Sequence, residues 1–265
     1  MPELPDVESF RRYMEASALK KTITDVKANS KSVLAGITLP ALKKKLIGKK
    51  IKSVSGYGKF LFAQTNDNEY LAMHFGMTGF LNYYKNKEEA GKYIRFQIDF
   101  ENGYHLGFDD RRKLGHIYFT ENLKEFFKKK KLGVDPIREN IDYKRFKELV
   151  EGKKGTVKSV FMNQEIMAGI GNIYSDEILF QSKIHPEYPF EKLEEKDLKL
   201  LFKKMKNILQ LAIDKDAEPD ELPENFLLHY RKPGKDCPVC SGTIERVTIG
   251  GRSSYFCNKH QRLVK

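Results

Sequence analysis

The chain has 265 residues, 40% of them hydrophobic and 32% charged, and Lys+Arg 48 against Asp+Glu 36 leaves a formal net charge of +12. That length supports one large or two ordinary domains with real cores, and the excess of positive charge points to a polyanionic partner. No long apolar span and no basic-then-apolar leader is visible, which argues against a membrane protein and for a cytoplasmic one. The three cysteines all fall in the last 29 residues. An odd count confined to one corner argues against a disulfide scaffold and for metal.

The chain opens Met1-Pro2-Glu3-Leu4-Pro5-Asp6. Pro2 is a small second residue, so removal of Met1 is expected, and the mature chain then starts with a secondary amine. An α-amino group has an unperturbed pKa of about 7.7–8, so a usable fraction is neutral near pH 7. Such an amine attacks an aldehyde-like carbon and forms an iminium, and Glu3 beside it is a candidate proton donor and acceptor. Pro and Glu also suit an ordinary first helical turn. The stretches further along decide between the two readings.

Residues 4–16 read as an amphipathic helix with Leu4, Val7, Phe10 and Met14 on one face and Glu8, Arg11, Arg12 and Glu15 on the other. From about 22 to 119 the period changes to two, most cleanly at Ile94, Phe96, Ile98 and Phe100. Asn102-Gly103 and Asn66-Asp67-Asn68 are turn signals between apolar runs, so an antiparallel sandwich or barrel is expected. Leu132-Gly133-Val134-Asp135-Pro136 is the best linker, just after a Lys128–Lys131 run that reads as a solvated helix end. Helices are predicted over 143–150, 157–168, 172–181 and 195–214. The tail from Pro233 reads as a separate small unit.

Three stretches carry chemistry. Cys237-Pro-Val-Cys240 is followed sixteen residues later by Cys257-Asn-Lys-His260, and this C-x2-C-x16-C-x2-H spacing puts two ligand pairs on two turns, as tetrahedral zinc requires. Between the pairs, Gly250-Gly251-Arg252 reads as a hairpin tip whose arginine suits a phosphate. In Gly169-Ile-Gly171-Asn172, two glycines free backbone N–H groups at a helix start that Asn172 is expected to cap, a natural phosphate seat. His74-Phe75-Gly76-Met77-Thr78-Gly79 is a glycine-flanked loop on which an apolar side chain suits insertion between bases, and Asp110-Arg111-Arg112-Lys113-Leu114-Gly115 is a loop of the same sort. Taken alone, Lys59, on a strand after Gly56 and Gly58, reads as any surface lysine.

Together these pieces resemble the formamidopyrimidine-DNA glycosylase and endonuclease VIII family of base-excision repair enzymes over nearly the whole chain. They stand in family order: the Pro-Glu-Leu-Pro start, Gly58-Lys59, the His74–Gly79 loop, the Gly169–Glu177 corner and the cysteine hairpin with Arg252. The resemblance implies an α+β fold. An N-terminal helix would lie on an antiparallel β-sandwich in residues 1–131, a helix-two-turn-helix domain would follow in 132–232, and a zinc-finger β-hairpin in 233–265. It implies damaged double-stranded DNA as partner, held between the domains by a monomer, with one structural zinc and no other cofactor. Carried over by position, Pro2 is the nucleophile on the sugar C1′, Glu3 the general acid and base, and Lys59 joins them while gripping phosphate. Asn172 and Arg252 grip phosphates, Lys158 touches DNA near the damaged base, and Glu177 and Asp6 belong to the lesion pocket. Met77, Arg112 or Lys113, and Leu114 match the group that fills the gap left by the flipped nucleotide. The implied reaction is base release followed by β,δ-elimination.

The chain departs from the family at several points. Asp6 stands where glutamate is usual, His260 where a fourth cysteine is usual, Lys113 where arginine is common and Leu114 where phenylalanine is common. Lysine lacks arginine's planar fork, so recognition of the opposite base is altered. Between Ala212 and Tyr230 the segment is short and acidic, which opens a preference for oxidised pyrimidines or a broad range of ring-opened bases. A non-catalytic lesion-binding paralogue is the rival reading if Met1 stays on; a zinc-ribbon RNA-binding protein explains the charge and cysteines but not the Pro-Glu start.

Overall fold

The computed structural model describes residues 1–263, which form two compact units that meet in sequence at Lys131 and Leu132. Among the described residues no helix is long and apolar enough to cross a membrane.

The first unit begins with helix α1 (Leu4–Ala18), which starts where Pro5 fits the first turn and Asp6 accepts the Glu3 N–H at 2.8 Å. Leu4, Val7, Met14 and Ala18 are buried and Phe10 packs its ring 4.3 Å from that of Phe75, while Arg11 pairs with Glu8 and Glu15 outside. Strands β1 (Ile23–Ala28), β2 (Ile51–Tyr57), β3 (Phe60–Thr65), β4 (Tyr70–His74), β5 (Gly79–Tyr84), β6 (Ile94–Phe100), β7 (His105–Asp110) and β8 (His116–Thr120) follow, with helix α2 (Leu39–Leu46) after β1 and α3 (Leu123–Lys129) after β8. They form two antiparallel four-stranded sheets, ordered β1-β6-β7-β5 and β2-β3-β4-β8. Phe96, Ile98, Phe100, Leu106 and Phe108 from the first sheet share one core with Leu61, Leu71, Met73 and Ile117 from the second, and α1 and α2 add Val7, Met14, Leu42 and Leu46. Each such side chain stabilises the fold by about 1.5–3 kcal/mol relative to exposure. The strand alternation of the sequence is thus a sandwich with a helix on it.

The second unit holds helices α4 (Tyr143–Val150), α5 (Val157–Phe161), α6 (Asn172–Gln181) and α7 (Glu195–Asp214), then a hairpin of β9 (Glu245–Ile249) and β10 (Arg252–Phe256). Asp142 caps α4 by accepting the Arg145 N–H at 2.8 Å, and Glu194 with Asp197 forms a capping box on α7. Phe146, Phe161, Ile178, Leu179, Leu201 and Met205 centre its core, and a smaller cluster of Phe180, Leu227, Ile244, Cys237 and Cys257 joins α6 to the hairpin. Gly250 and Gly251 take φ of 55° and 73°, the pair of left-handed residues that a two-residue hairpin turn demands.

The helix predicted over 157–168 stops at Phe161. Beyond it an isolated turn at Asn163–Met167 is tied to a distant segment: the Gly133 N–H donates to the Gln164 carbonyl at 2.7 Å, and Val134 bridges Met167. The Gln164 side chain fastens the turns, donating to the carbonyls of Met162 and Ile170 and accepting the Gly169 N–H at 3.0 Å.

Candidate active site and nucleic-acid interface

The first unit gathers one set of the predicted residues. The first turns of α1 run beside the end of β2, where a Cβ on Gly56 would stand 3.4 Å from the Val7 side chain. Glu3 is buried at 1% exposure, Met1 is exposed and Pro2 is half-buried. Asp6 holds the Glu3 N–H, and burial pushes its carboxyl up to about 6. Lys59 does not lie within a strand; it shares the two-residue turn between β2 and β3 with Gly58, whose φ is 56°. It is buried, and its charge acts on His74 at the end of β4. Burial, then the Lys59 charge, lowers His74 to about 4, so at neutral pH its Nδ1 accepts the Gly76 N–H at 3.3 Å.

The two glycine-flanked loops form one cross-braced platform. The buried Asp110 carboxylate accepts the Thr78 hydroxyl at 2.6 Å, the Gly115 N–H at 2.7 Å and the Arg112 N–H at 3.1 Å. Gly76 has a φ of 59°, and a Cβ there would stand 2.4 Å from the Leu114 carbonyl carbon, so the backbones abut. Lys113 is itself left-handed at a φ of 56°. Met77 and Leu114 project from this platform 41% and 44% exposed, with Arg112 and Lys113 exposed beside them. Apolar side chains so exposed on a braced support suit insertion into a stack of bases. Asp110 was not singled out from sequence; an acidic residue ending a strand carries no signal of the loop it will hold.

The second unit gathers the other set. Asn172 is the first residue of α6 rather than its cap, since Gly171 occupies the cap. The Asn172 side chain is instead spent across the fold: Nδ2 donates to the Ser253 carbonyl at 2.9 Å, while Oδ1 is buried with no hydrogen-bond partner among the described residues. This bond brings Asn172 to the strand that carries the exposed Arg252.

Lys158 and Glu177 sit differently from the expectation. The Lys158 side chain is 0% exposed and its ammonium pairs with Asp176, so it is an internal cation in this structure. An unpaired buried ammonium is costly, and the helix geometry delivers it to a buried carboxylate. Glu177 is also buried, its Oε2 accepting the Leu228 N–H and its Oε1 the Gln181 amide, each at 2.9 Å. It fastens the turn at Leu227–Tyr230 rather than presenting a carboxylate to a base. Burial raises it to about 7.

The sulfurs of Cys237, Cys240 and Cys257 lie within 4.8 Å of one another. Cys240 and Cys257 are 3.7 Å apart, the spacing of two thiolates about 2.3 Å from a tetrahedral zinc. A Cβ on Gly242 would stand 2.6 Å from the Cys257 sulfur, so only glycine leaves room for the cluster. The donor set fits Zn²⁺, and the role is structural, because the hairpin's own core is small. The structure does not bring His260 into this group of three: its ring packs 4.6 Å from that of Phe180, and Nε2 donates to the Phe180 carbonyl at 3.1 Å.

A helix-backed sandwich carrying an N-terminal Pro-Glu, followed by a helical unit with a cysteine hairpin, matches three family models in sequence order. These are the formamidopyrimidine-DNA glycosylase N-terminal domain over residues 1–117, its H2TH domain over 132–221, and the zinc finger found in FPG and IleRS over 234–259. The formamidopyrimidine-DNA glycosylase of Mycoplasma mobile is 32% identical across 99% of this chain and 100% of its own. That of Aliivibrio fischeri is 30% identical over the full length of both. Lactococcus lactis Fpg in complex with abasic-site DNA superposes with a TM-score of 0.88 at 31% identity, covering 98% of this chain and 99% of that one. A mutant of the same enzyme with Fapy-dG-containing DNA gives 0.89, at 31% identity and 98% and 100% coverage. The chain belongs to the formamidopyrimidine-DNA glycosylase family.

Proposed function

We propose that the chain is a bifunctional DNA glycosylase and abasic-site lyase that removes oxidised or ring-opened bases from duplex DNA. The observation that carries this reading is the Pro2-Glu3 pair at the head of the first helix, where Glu3 is buried and its N–H is held by Asp6. With Met1 removed, the Pro2 lone pair forms a bond to C1′ of the damaged nucleotide as the bond from C1′ to the base breaks, and the base leaves with a proton. Loss of the amine proton and protonation of the ring oxygen open the sugar and give the iminium, with Glu3 moving these protons. The iminium acidifies C2′. Its deprotonation expels the 3′ phosphate, a second elimination expels the 5′ phosphate, and water releases the amine.

Lys59, Asn172 and Arg252 hold phosphates around the lesion, and Met77 with Arg112, Lys113 and Leu114 occupies the space the flipped nucleotide leaves. The abasic-site and Fapy-dG duplexes bound by the Lactococcus lactis relative support this substrate class. His260 is the fourth ligand of this reading, and to reach the three sulfurs its ring must leave the place it takes against the Phe180 carbonyl. The enzyme acts as a cytoplasmic monomer, residues 132–232 forming its helical module and the tail from 233 the finger.

Borohydride reduction of the Met1-free chain with an abasic-site duplex should leave protein and DNA joined through Pro2, and mass spectrometry of the N-terminus identifies the processed form. A processed chain that gives no adduct and leaves the strand uncut overturns the catalytic reading in favour of lesion binding alone. Base release from duplexes carrying single oxidised purines or pyrimidines ranks the lesions.

A further inference from the structure

We propose that Asp176 is a positioning residue that sets Arg252 and Asn172 as one phosphate clamp. The inference rests on the reading of those two residues as phosphate-holding groups, and it concerns how the fold presents them.

Asp176 is buried in α6 and its carboxylate is fully subscribed. Oδ1 takes the Lys158 ammonium from α5 and the Ser254 hydroxyl at 2.6 Å; Oδ2 takes Arg231 at 2.6 Å and the Tyr255 N–H at 3.1 Å. Asn172 lies one turn earlier on the same face of α6 and donates to the Ser253 carbonyl. One helix face therefore grips three consecutive residues of β10, the strand that begins with Arg252. Arg231 closes the arrangement, with its guanidinium 4.8 Å from the Tyr255 ring and a further bond to the Asn172 carbonyl at 3.4 Å. The bond to Ser253 uses one amide hydrogen of Asn172 and leaves the second for a phosphate oxygen. None of these bonds involves a thiol, so the strand is held to α6 independently of the metal.

The probe is a duplex carrying a tetrahydrofuran abasic analogue, with dissociation constants measured across a salt series for the full-length zinc-loaded protein. Asp176→Asn combined with Lys158→Met removes the carboxylate without stranding a buried ammonium. This variant should keep its zinc yet bind at least about tenfold more weakly, with a salt slope smaller by about 1 through the lost Arg252 contact. In an Arg252→Ala background the same pair of changes should cost less than about twofold, because residues acting through one contact are not additive. Ser254→Ala, which spares both charges, should show the same pattern with a loss of about two- to fivefold. Equal factors in the presence and absence of Arg252 would overturn the positioning role, and the Ser254 pair decides it if the double variant does not fold. A wild-type chain that fails to bind the analogue removes the proposed function itself, whereas binding with additive losses removes this inference alone.

Discussion

Glu177 holds its proton to an unusually high pH, and the cause is burial against the Leu227–Tyr230 turn. Its carboxyl is raised from 4.5 to about 7, so between those values the folded chain keeps a proton that the unfolded chain has released. Stability is therefore fully present below the lower value, declines as pH rises through the window, and stays lower above it. The shift corresponds to roughly 3 kcal/mol. Glu177→Gln removes the titration, so denaturant unfolding should show the variant gaining on the wild type by about that amount between pH 4.5 and pH 8. A constant difference across that range contradicts the assignment. At this scale the sequence was least informative. Lys158 and Glu177 were placed near the damaged base by resemblance alone, and nothing local to either marks the partner that buries it: Asp176 lies eighteen residues from Lys158 and Leu228 fifty-one from Glu177. Asp110 and Asp176 were missed for the same reason.

Elements whose burial follows their own periodicity were legible. The helices at 143–150, 172–181 and 195–214 fall as read, and the strand alternation at Ile94–Phe100 is an inner strand of the first sheet. The helix read over 157–168 failed because a distant segment at Gly133–Val134 takes its backbone groups, a competition invisible to a local window. The cysteine hairpin was legible because metal geometry writes itself into spacing. Its fourth ligand is the point to probe. His260→Ala should lower zinc affinity by at least about tenfold, whereas Cys257→Ala should abolish retention, with bound zinc measured by mass spectrometry after dialysis against a chelator. Unchanged zinc in His260→Ala would assign that imidazole to the Phe180 carbonyl alone. Stripping zinc from the wild type should weaken DNA binding while the first unit keeps its own unfolding transition, since its core draws only on residues up to Ile117 and their neighbours.

For the molecule as a whole, the net charge of +12 is the feature that a polyanion senses first. Lys59 and Arg252 are the proposed phosphate-holding cations, with Arg112 and Lys113 exposed at the gap and able to add to them, and each neutralised duplex phosphate contributes about −0.9 to the slope of log affinity against log salt. Between two and four such contacts give a slope of about −2 to −4, measurable by fluorescence anisotropy, and a flat response is incompatible with the proposed interface. The order of sandwich, helical unit and hairpin was readable because five separate motifs occur in one sequence order. The abutment of Gly76 on Leu114–Gly115, with Thr78 and Arg112 sharing Asp110, has a practical corollary for anyone exchanging either loop. The two lips were shaped against each other, so a segment transplanted from a cousin enzyme into 75–79 will misfit unless 110–115 travels with it.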